Sequence, residues 1–213
     1  MPLARALTDI RSPLAPRFAR WATAVAVSLA VLAPRPVPAL AADLEAGRRK
    51  AVACAACHGL DGNSTNPTVP SIAGQVGIYL HWQLLLYRDK RRVDPQMAPI
   101  AAALSESDMA DLAAFFAAQR PAPPAAGPPD PARAETGQRL AATYHCDDCH
   151  GRDFAGREYA PRLRGLSREY LVAQMRGFKA RTRGDLDGAM TQAAQPVADA
   201  DIEPLADYIG SIK

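Results

Sequence analysis

Apolar residues recur at helical spacing in the segment that closes each half of this chain. In "SESDMADLAAFFAAQ" (105–119) they lie three or four residues apart, as one face of an α-helix requires. Ser105 and Asp108 at its start resemble a capping box. "ADADIEPLADYIGSI" (198–212) repeats the spacing, and no segment alternates apolar and polar residues as a half-buried strand would. The pattern predicts an all-α fold.

The chain also repeats itself at a nearly constant interval. Each half has a helix-like segment, a Cys-x-x-Cys-His cluster, a Gly-rich loop, Pro-x-Ile/Leu-x-Gly and Tyr-Leu-x-x-Gln. The Pro-x-Ile/Leu-x-Gly and Tyr-Leu-x-x-Gln segments of the second half lie 91 positions after those of the first half. Between the halves, 119–132 is rich in proline and predicts an extended, stiff linker. We therefore expect two small helical domains, 42–118 and 133–213, each with a marginal core.

Residues 1–41 have the pattern of a secretory signal peptide. A basic start precedes the apolar run "WATAVAVSLAVLA" (21–33) and a small-residue site at 39–41. This run is too short to span a bilayer, so we expect cleavage near Ala41 and a periplasmic location. Its removal leaves 20 Lys and Arg against 21 Asp and Glu. A chain so close to neutrality lacks the positive charge that favours nucleic acid as a partner.

All four cysteines and two of the four histidines lie in the two clusters: Cys54, Cys57 and His58, and Cys146, Cys149 and His150. A thioredoxin-like redox motif would need a strand–helix order that this pattern lacks. A structural zinc site needs four ligands close together, whereas the second pair lies 92 residues after the first. An exported protein can form plain disulfides, but these do not explain the histidine after each pair.

Covalent haem attachment explains every position of the cluster. The two thiols can form thioethers with the two vinyl groups of one porphyrin, and the next residue supplies an imidazole to the iron. A sixth ligand must come from the opposite side of the pocket, and a methionine follows the histidine by 39 residues in the first half and 40 in the second. We predict two covalently bound haem c groups, attached through Cys54, Cys57, Cys146 and Cys149, with His58, Met97, His150 and Met190 as iron ligands.

The remaining methionines and histidines are weaker candidates. Met109 and Met175 lie within helical patterns and are interpreted as core residues. His81 and His145 occupy no repeated position, which favours roles at the surface or at the edge of a pocket.

With these clusters, repeated segments and late methionines, the chain resembles the dihaem class I cytochromes c of the cytochrome c4 type. "PSIAGQVGIYL" (70–80) is especially similar to that family, and the resemblance covers about residues 43–213. It implies two cytochrome c domains related by a pseudo-twofold axis. It also implies that the carbonyl oxygens of Pro70 and Pro161 accept a hydrogen bond from the two cluster histidines. Met97 is followed by Pro99, as the family often shows, whereas Met190 has no such proline.

Iron with histidine and methionine ligands has no open site, and the soft thioether favours the ferrous form. We therefore expect an electron-transfer protein and not an enzyme: a one-electron carrier that delivers electrons to a terminal oxidase or reductase. The alternative is a dihaem electron-accepting subunit of a periplasmic dehydrogenase, either a flavoprotein or a quinoprotein. A dihaem peroxidase or a thiosulfate-oxidising cytochrome would need an open or Cys-ligated iron. The expected partners are redox proteins, with at most peripheral membrane contact.

Basic residues are concentrated between 157 and 183, where eight Lys and Arg stand against two Glu. An ordinary solvated helix face and a docking surface both produce this pattern. Some of these arginines are expected to neutralise haem propionates. We predict that the others steer an acidic partner toward the second haem.

Overall fold

The computed structural model describes residues 42–123 and 130–213. The expected signal peptide (1–41) and the middle of the expected linker (124–129) lie outside the described residues. Within the described ranges all regular structure is helical, apart from two isolated β-bridges. The all-α prediction is confirmed.

The two halves contain the same succession of helices. The first half consists of α1 (Leu44–Ala51), a 3₁₀ turn (Val52–Cys54), α2 (Ala55–His58), α3 (Gly77–Arg88), α4 (Met97–Ala102) and α5 (Glu106–Ala117). The second half consists of α6 (Pro131–Thr143), α7 (Cys146–His150), α8 (Arg168–Lys179), α9 (Ala189–Ala194), a 3₁₀ turn (Asp199–Asp201) and α10 (Ile202–Ser211).

Helix α5 begins with the capping box that the sequence indicates. The Ser105 hydroxyl accepts a hydrogen bond from the Asp108 N–H at 3.1 Å, and the Asp108 carboxylate accepts one from the Ser105 N–H at 2.9 Å. These bonds satisfy backbone donors that have no partner inside the helix.

Helix α6 begins inside the segment that the sequence predicts as linker (119–132). The predicted end of the linker therefore lies too late in the chain. The Asp130 carboxylate accepts hydrogen bonds from the N–H groups of Ala132 and Arg133. Pro131 occupies the first helical position, where its missing N–H costs nothing and its fixed φ suits a helix. Proline thus starts a helix here instead of extending the linker.

In both halves a glycine allows the first helix to cross the last one at close range. A Cβ on Gly47 of α1 would collide with the Asp111 carbonyl oxygen and lie 2.8 Å from Cβ of Phe115 on α5. A Cβ on Gly137 of α6 would lie 2.6 Å from Cβ of Tyr208 on α10. These crossings close the cores of both halves.

Gly47→Ala should therefore lower the free energy of unfolding by about 1–3 kcal/mol, the usual cost of overpacking. The matched control is Gly77→Ala in α3, where the nearest heavy atom to a new Cβ lies at an ordinary 3.5 Å. Chemical denaturation of the haem-loaded protein measures both variants. Equal stabilities would show that the crossing of α1 and α5 relaxes without cost.

The described residues belong to one compact unit, and arginines of each half reach into the other. The backbones of Arg92 and Arg183 form an isolated antiparallel bridge. The Arg92 guanidinium donates hydrogen bonds at 3.0 Å to the Tyr170 hydroxyl and to Gln174. The Arg183 guanidinium donates one at 3.0 Å to the Tyr79 hydroxyl. We call this contact region between the two halves, formed around Arg92, Arg183, Tyr79 and Tyr170, the interdomain seam. The two arginines are 91 positions apart, and so are the two tyrosines. The seam therefore contains the same contact twice, as a pseudo-twofold axis requires.

Candidate functional site

Each Cys-x-x-Cys-His cluster lies on a short helical turn. In the first half Cys54 ends the 3₁₀ turn, and Cys57 and His58 lie on α2. In the second half the whole cluster (146–150) forms α7. In both clusters the first cysteine is half-buried, the second is exposed and the histidine is buried. One helical turn thus presents two thiols beside one imidazole.

The histidines make the hydrogen bonds that the family resemblance implies. Nδ1 of His58 lies 2.9 Å from the carbonyl oxygen of Pro70, and Nδ1 of His150 lies 2.9 Å from that of Pro161. A carbonyl only accepts, so the proton is on Nδ1 and Nε2 keeps a free lone pair. Burial lowers the pKa of both histidines, against the opposing effect of the hydrogen bond. Both rings are therefore neutral imidazoles able to coordinate a metal.

Burial raises the pKa of the half-buried cysteines, whereas it lowers the pKa of the histidines. It raises the pKa of the Cys54 thiol, and it raises the pKa of the Cys146 thiol to about 11. Both groups are thiols near neutral pH and poor nucleophiles for disulfide exchange. Among the described residues, no group of three or more His, Cys, Asp or Glu side chains is placed to hold a metal ion. The raised pKa values of the two thiols therefore do not favour the redox-disulfide alternative.

The methionines separate into two pairs. Met97 is the first residue of α4 and Met190 the second residue of α9, and both side chains are half-buried. Met109 is fully buried in the first half, and Met175 packs against the core of the second, as expected of core residues. The first pair therefore remains as candidate ligands.

The two histidines outside the clusters lie at or near the surface, as expected. His81 is half-buried on α3. His145 is exposed, with Nδ1 3.8 Å from an oxygen of Asp148. Neither histidine has a counterpart in the other half, so neither belongs to the repeated site.

Three buried or half-buried arginines near the seam show whether their surroundings fit an anionic cofactor. Arg92 is only 7% exposed, and its side-chain hydrogen bonds go to two glutamines and a tyrosine. Those of Arg162 and Arg183 go to backbone carbonyls and a tyrosine hydroxyl. Within the described ranges, Nε of both Arg162 and Arg183 is buried without a partner. A guanidinium removed from water needs a compensating anion. A group that carries carboxylates, as haem does, fits this environment.

Half of the basic residues in the segment 157–183 form ion pairs with carboxylates of the same chain. Arg162 and Arg183 lie at the seam, and Arg157 donates a hydrogen bond to the Asp148 carbonyl oxygen. In the part of the chain that the structure describes, exposed Arg181 has neither a side-chain hydrogen bond nor an ion pair. The other four are paired with carboxylates: Arg164 with Asp153, Arg168 with Glu203 and Asp207, Arg176 with Glu203, and Lys179 with Asp199. The positive surface is therefore much smaller than the sequence predicts.

The contacts between the two halves are not evident from the residue types alone. Arg92 and Arg183 share the 91-residue interval of the repeated motifs, and that interval was the available signal. The fold and the two clusters together define a class of protein: paired helical domains, each with a Cys-x-x-Cys-His attachment site for covalent haem.

Comparisons with known proteins agree with this class. The cytochrome c family model matches residues 44–119 and again 134–213. Cytochrome c4 of Pseudomonas aeruginosa is 35% identical over 177 residues, 79% of this chain and 88% of that protein. A thiosulfate dehydrogenase electron acceptor of Stutzerimonas stutzeri is 35% identical over 173 residues, 76% of this chain and 80% of that protein. The crystal structure of reduced recombinant cytochrome c4 from Pseudomonas stutzeri matches with a TM-score of 0.75 and 31% identity, covering 81% of this chain and all 100% of that one.

The chain belongs to the cytochrome c family. It is a dihaem electron-transfer protein of the cytochrome c4 type, with two covalently bound haem c groups, and not an enzyme. These findings confirm the predicted fold class, cofactor and general function. Of the helices in the described ranges, none is both long and apolar enough to cross a bilayer.

Proposed function

We propose that the protein is a periplasmic one-electron carrier that delivers electrons to a terminal oxidase or reductase. The observation that carries this proposal is the duplicated cluster with its buried, neutral histidine held by a proline carbonyl. The similarity to cytochrome c4 proteins supports the carrier role. The signal-peptide pattern of 1–41 supports the periplasmic location.

We assign the site residues by their chemistry. The thiols of Cys54, Cys57, Cys146 and Cys149 form the thioethers. His58 and His150 would hold the iron through their imidazoles, and Met97 and Met190 would hold it through their thioether sulfurs. Bound haem supplies a ferric–ferrous couple. Pro70 and Pro161 orient the imidazoles, and the two methionine sulfurs favour the reduced state.

The proposed domains are those of the sequence analysis, 42–118 and 133–213, with the second now extended back to the cap at Asp130. Two separate matches to the cytochrome c family support this division. The seam then joins two domains that each hold one haem.

A second candidate is the dihaem electron acceptor of a periplasmic dehydrogenase. It is favoured by the similarity to thiosulfate dehydrogenase electron acceptors over 76% of the chain. The two candidates use the same haem residues and differ in the partner protein.

Two stopped-flow experiments on the haem-loaded protein distinguish them. Reduced protein is mixed with oxidase-containing membranes, and oxidised protein is mixed with a thiosulfate dehydrogenase and thiosulfate. Rapid oxidation by the membranes alone supports the carrier. Rapid thiosulfate-dependent reduction, with co-purification of a stoichiometric dehydrogenase, supports the second candidate. Absence of both reactions would contradict both partner assignments.

Arg181 is the exposed basic residue that we propose attracts an acidic partner. Lys90 occupies the equivalent position in the first half. Both are exposed and follow the ends of α8 and α3 with a left-handed backbone, each with φ 56°. Arg181→Glu should slow electron transfer to an acidic partner by about 3- to 10-fold at low salt, and the difference should shrink above roughly 0.1 M salt. Arg139→Glu, at an exposed position of α6, is the charge-matched control. If the rate of electron transfer responds neither to salt nor to Arg181→Glu, Arg181 belongs to an ordinary solvated surface.

A further inference from the structure

We propose that Asp94 and Asp185 are positioning residues that hold the two axial methionines in place. Each carboxylate binds the backbone N–H of a methionine, in a segment that begins at the interdomain seam. The inference rests on the proposed function, because it takes Met97 and Met190 as the iron ligands.

In the first half, Asp94 organises the approach to α4. Its Oδ1 accepts hydrogen bonds from the N–H groups of Gln96 and Met97, both at 2.9 Å. Its backbone carbonyl accepts another from Ala98 at 3.0 Å. Asp94 thus accepts hydrogen bonds from the backbone N–H of Met97 and from the N–H groups of the residues on either side of it.

In the second half, Asp185 makes the corresponding contacts at α9. Its Oδ2 accepts hydrogen bonds from the N–H groups of Met190 at 2.6 Å and Thr191 at 3.2 Å. Its Oδ1 accepts one from the Thr191 hydroxyl at 2.9 Å. Hydrogen bonds to an ionised carboxylate are roughly twice as strong as those between neutral groups.

The two contacts are equivalent although their sequence spacing differs. Asp185 lies 91 positions after Asp94, but Met190 lies 93 positions after Met97. Two extra residues therefore separate the carboxylate from the methionine in the second half. Asp187, which has the three-residue spacing of the first half, binds the N–H of Ala189 instead. The bond to methionine is thus reproduced by the fold and not by local spacing.

The other end of each segment is anchored at the seam. Arg92 and Arg183 each lie two residues before the aspartate, and their backbones form the antiparallel bridge. Their side chains bond to tyrosines of the opposite half. A methionine side chain is flexible, so its sulfur stays at a fixed point only if its backbone does. The Arg-x-Asp segment supplies that constraint in both halves.

The test uses imidazole, which competes for the sixth position of the iron, and the red-end charge-transfer band of ferric haem with a methionine ligand. Loss of a contact that orients a metal ligand typically costs 10- to 100-fold in affinity. In the haem-loaded protein, Asp94→Ala should therefore lower the apparent Kd for imidazole at one haem by on the order of 10-fold. The band should weaken, while intact mass shows both haems still attached.

Conservative and control variants separate positioning from charge. Asp94→Asn keeps an oxygen that accepts from the Met97 N–H, so its Kd should fall much less than that of Asp94→Ala. Asp89→Ala removes an exposed carboxylate that pairs with Arg88 and should change nothing. In the second half Asp185→Ala should act like Asp94→Ala, and Asp187→Ala is its control. This second pair also tests the proposal if Asp94→Ala does not fold.

Equal effects of Asp94→Ala and Asp94→Asn would show that charge matters and the hydrogen bond does not, and would overturn the proposal. Unchanged imidazole affinity in both alanine variants would overturn it as well. If Met97→Ala and Met190→Ala leave the band unchanged, the ligand assignment itself fails and the inference falls with it. A change in the methionine variants without one in the aspartate variants refutes only the inference.

Discussion

Replacing Cys146 and Cys149 together with alanine should remove one of the two covalently bound haems. The attachment site on α7 then has no thiol, whereas Cys54 and Cys57 of the first half are untouched. The second half should also lose stability, because Cys146 packs against its core and haem is itself a large apolar core element. Intact mass spectrometry and haem staining after denaturing electrophoresis measure the loss.

The control for this prediction is His145→Ala. His145 directly precedes the cluster but is exposed, so this variant should keep both haems. A wild-type mass with zinc or bare disulfides in place of haem would contradict the prediction. So would a double-alanine variant that still carries two covalent haems.

Met97→Ala should open one iron and lower its reduction potential by a few hundred mV, given the roughly 0.8 V that axial ligands span. The soft thioether favours ferrous iron, and its loss removes that preference. Because one haem of two is affected, the red-end charge-transfer band of the ferric protein should fall by about half. Redox titration and the ferric spectrum provide the measurements, and Met190→Ala should act likewise on the other haem.

Met109→Ala is the matched control for the axial methionines. Met109 is 0% exposed, so its truncation should cost about 2–5 kcal/mol of stability through the cavity it leaves. Potentials and spectrum should remain those of the wild type. An unchanged band in Met97→Ala, or a lost band in Met109→Ala, would require Met109 or His81 to be reconsidered as the ligand.

The elements most accurately predicted from sequence are those with a local cause. The capping box of α5 involves two residues three positions apart. The helical spacing within 105–119 and 198–212 identifies α5 and α10. The predicted linker (119–132) overlaps the start of α6, because a proline that would break a helix in its interior is tolerated at its first position.

The class of protein and the chemistry of its site follow from the order of the amino acids alone. The two thiols and the imidazole of each cluster need no tertiary information, because their relative positions follow from the geometry of a single helical turn. The resemblance to cytochrome c4 proteins then extended this local inference to the whole fold and to the bonds made by Pro70 and Pro161.

Which charges are free and which groups meet across the seam depends on the packing of the helices. Arg168 and Arg176 of the basic segment bind Glu203, more than 25 positions away, and Arg92 binds Tyr170 across the two halves. Likewise Asp185, and not the nearer Asp187, holds Met190. Ion pairing, burial and hydrogen bonding depend on distance in space. That distance is set by how the helices pack, so the residue types and their spacing could not reveal it.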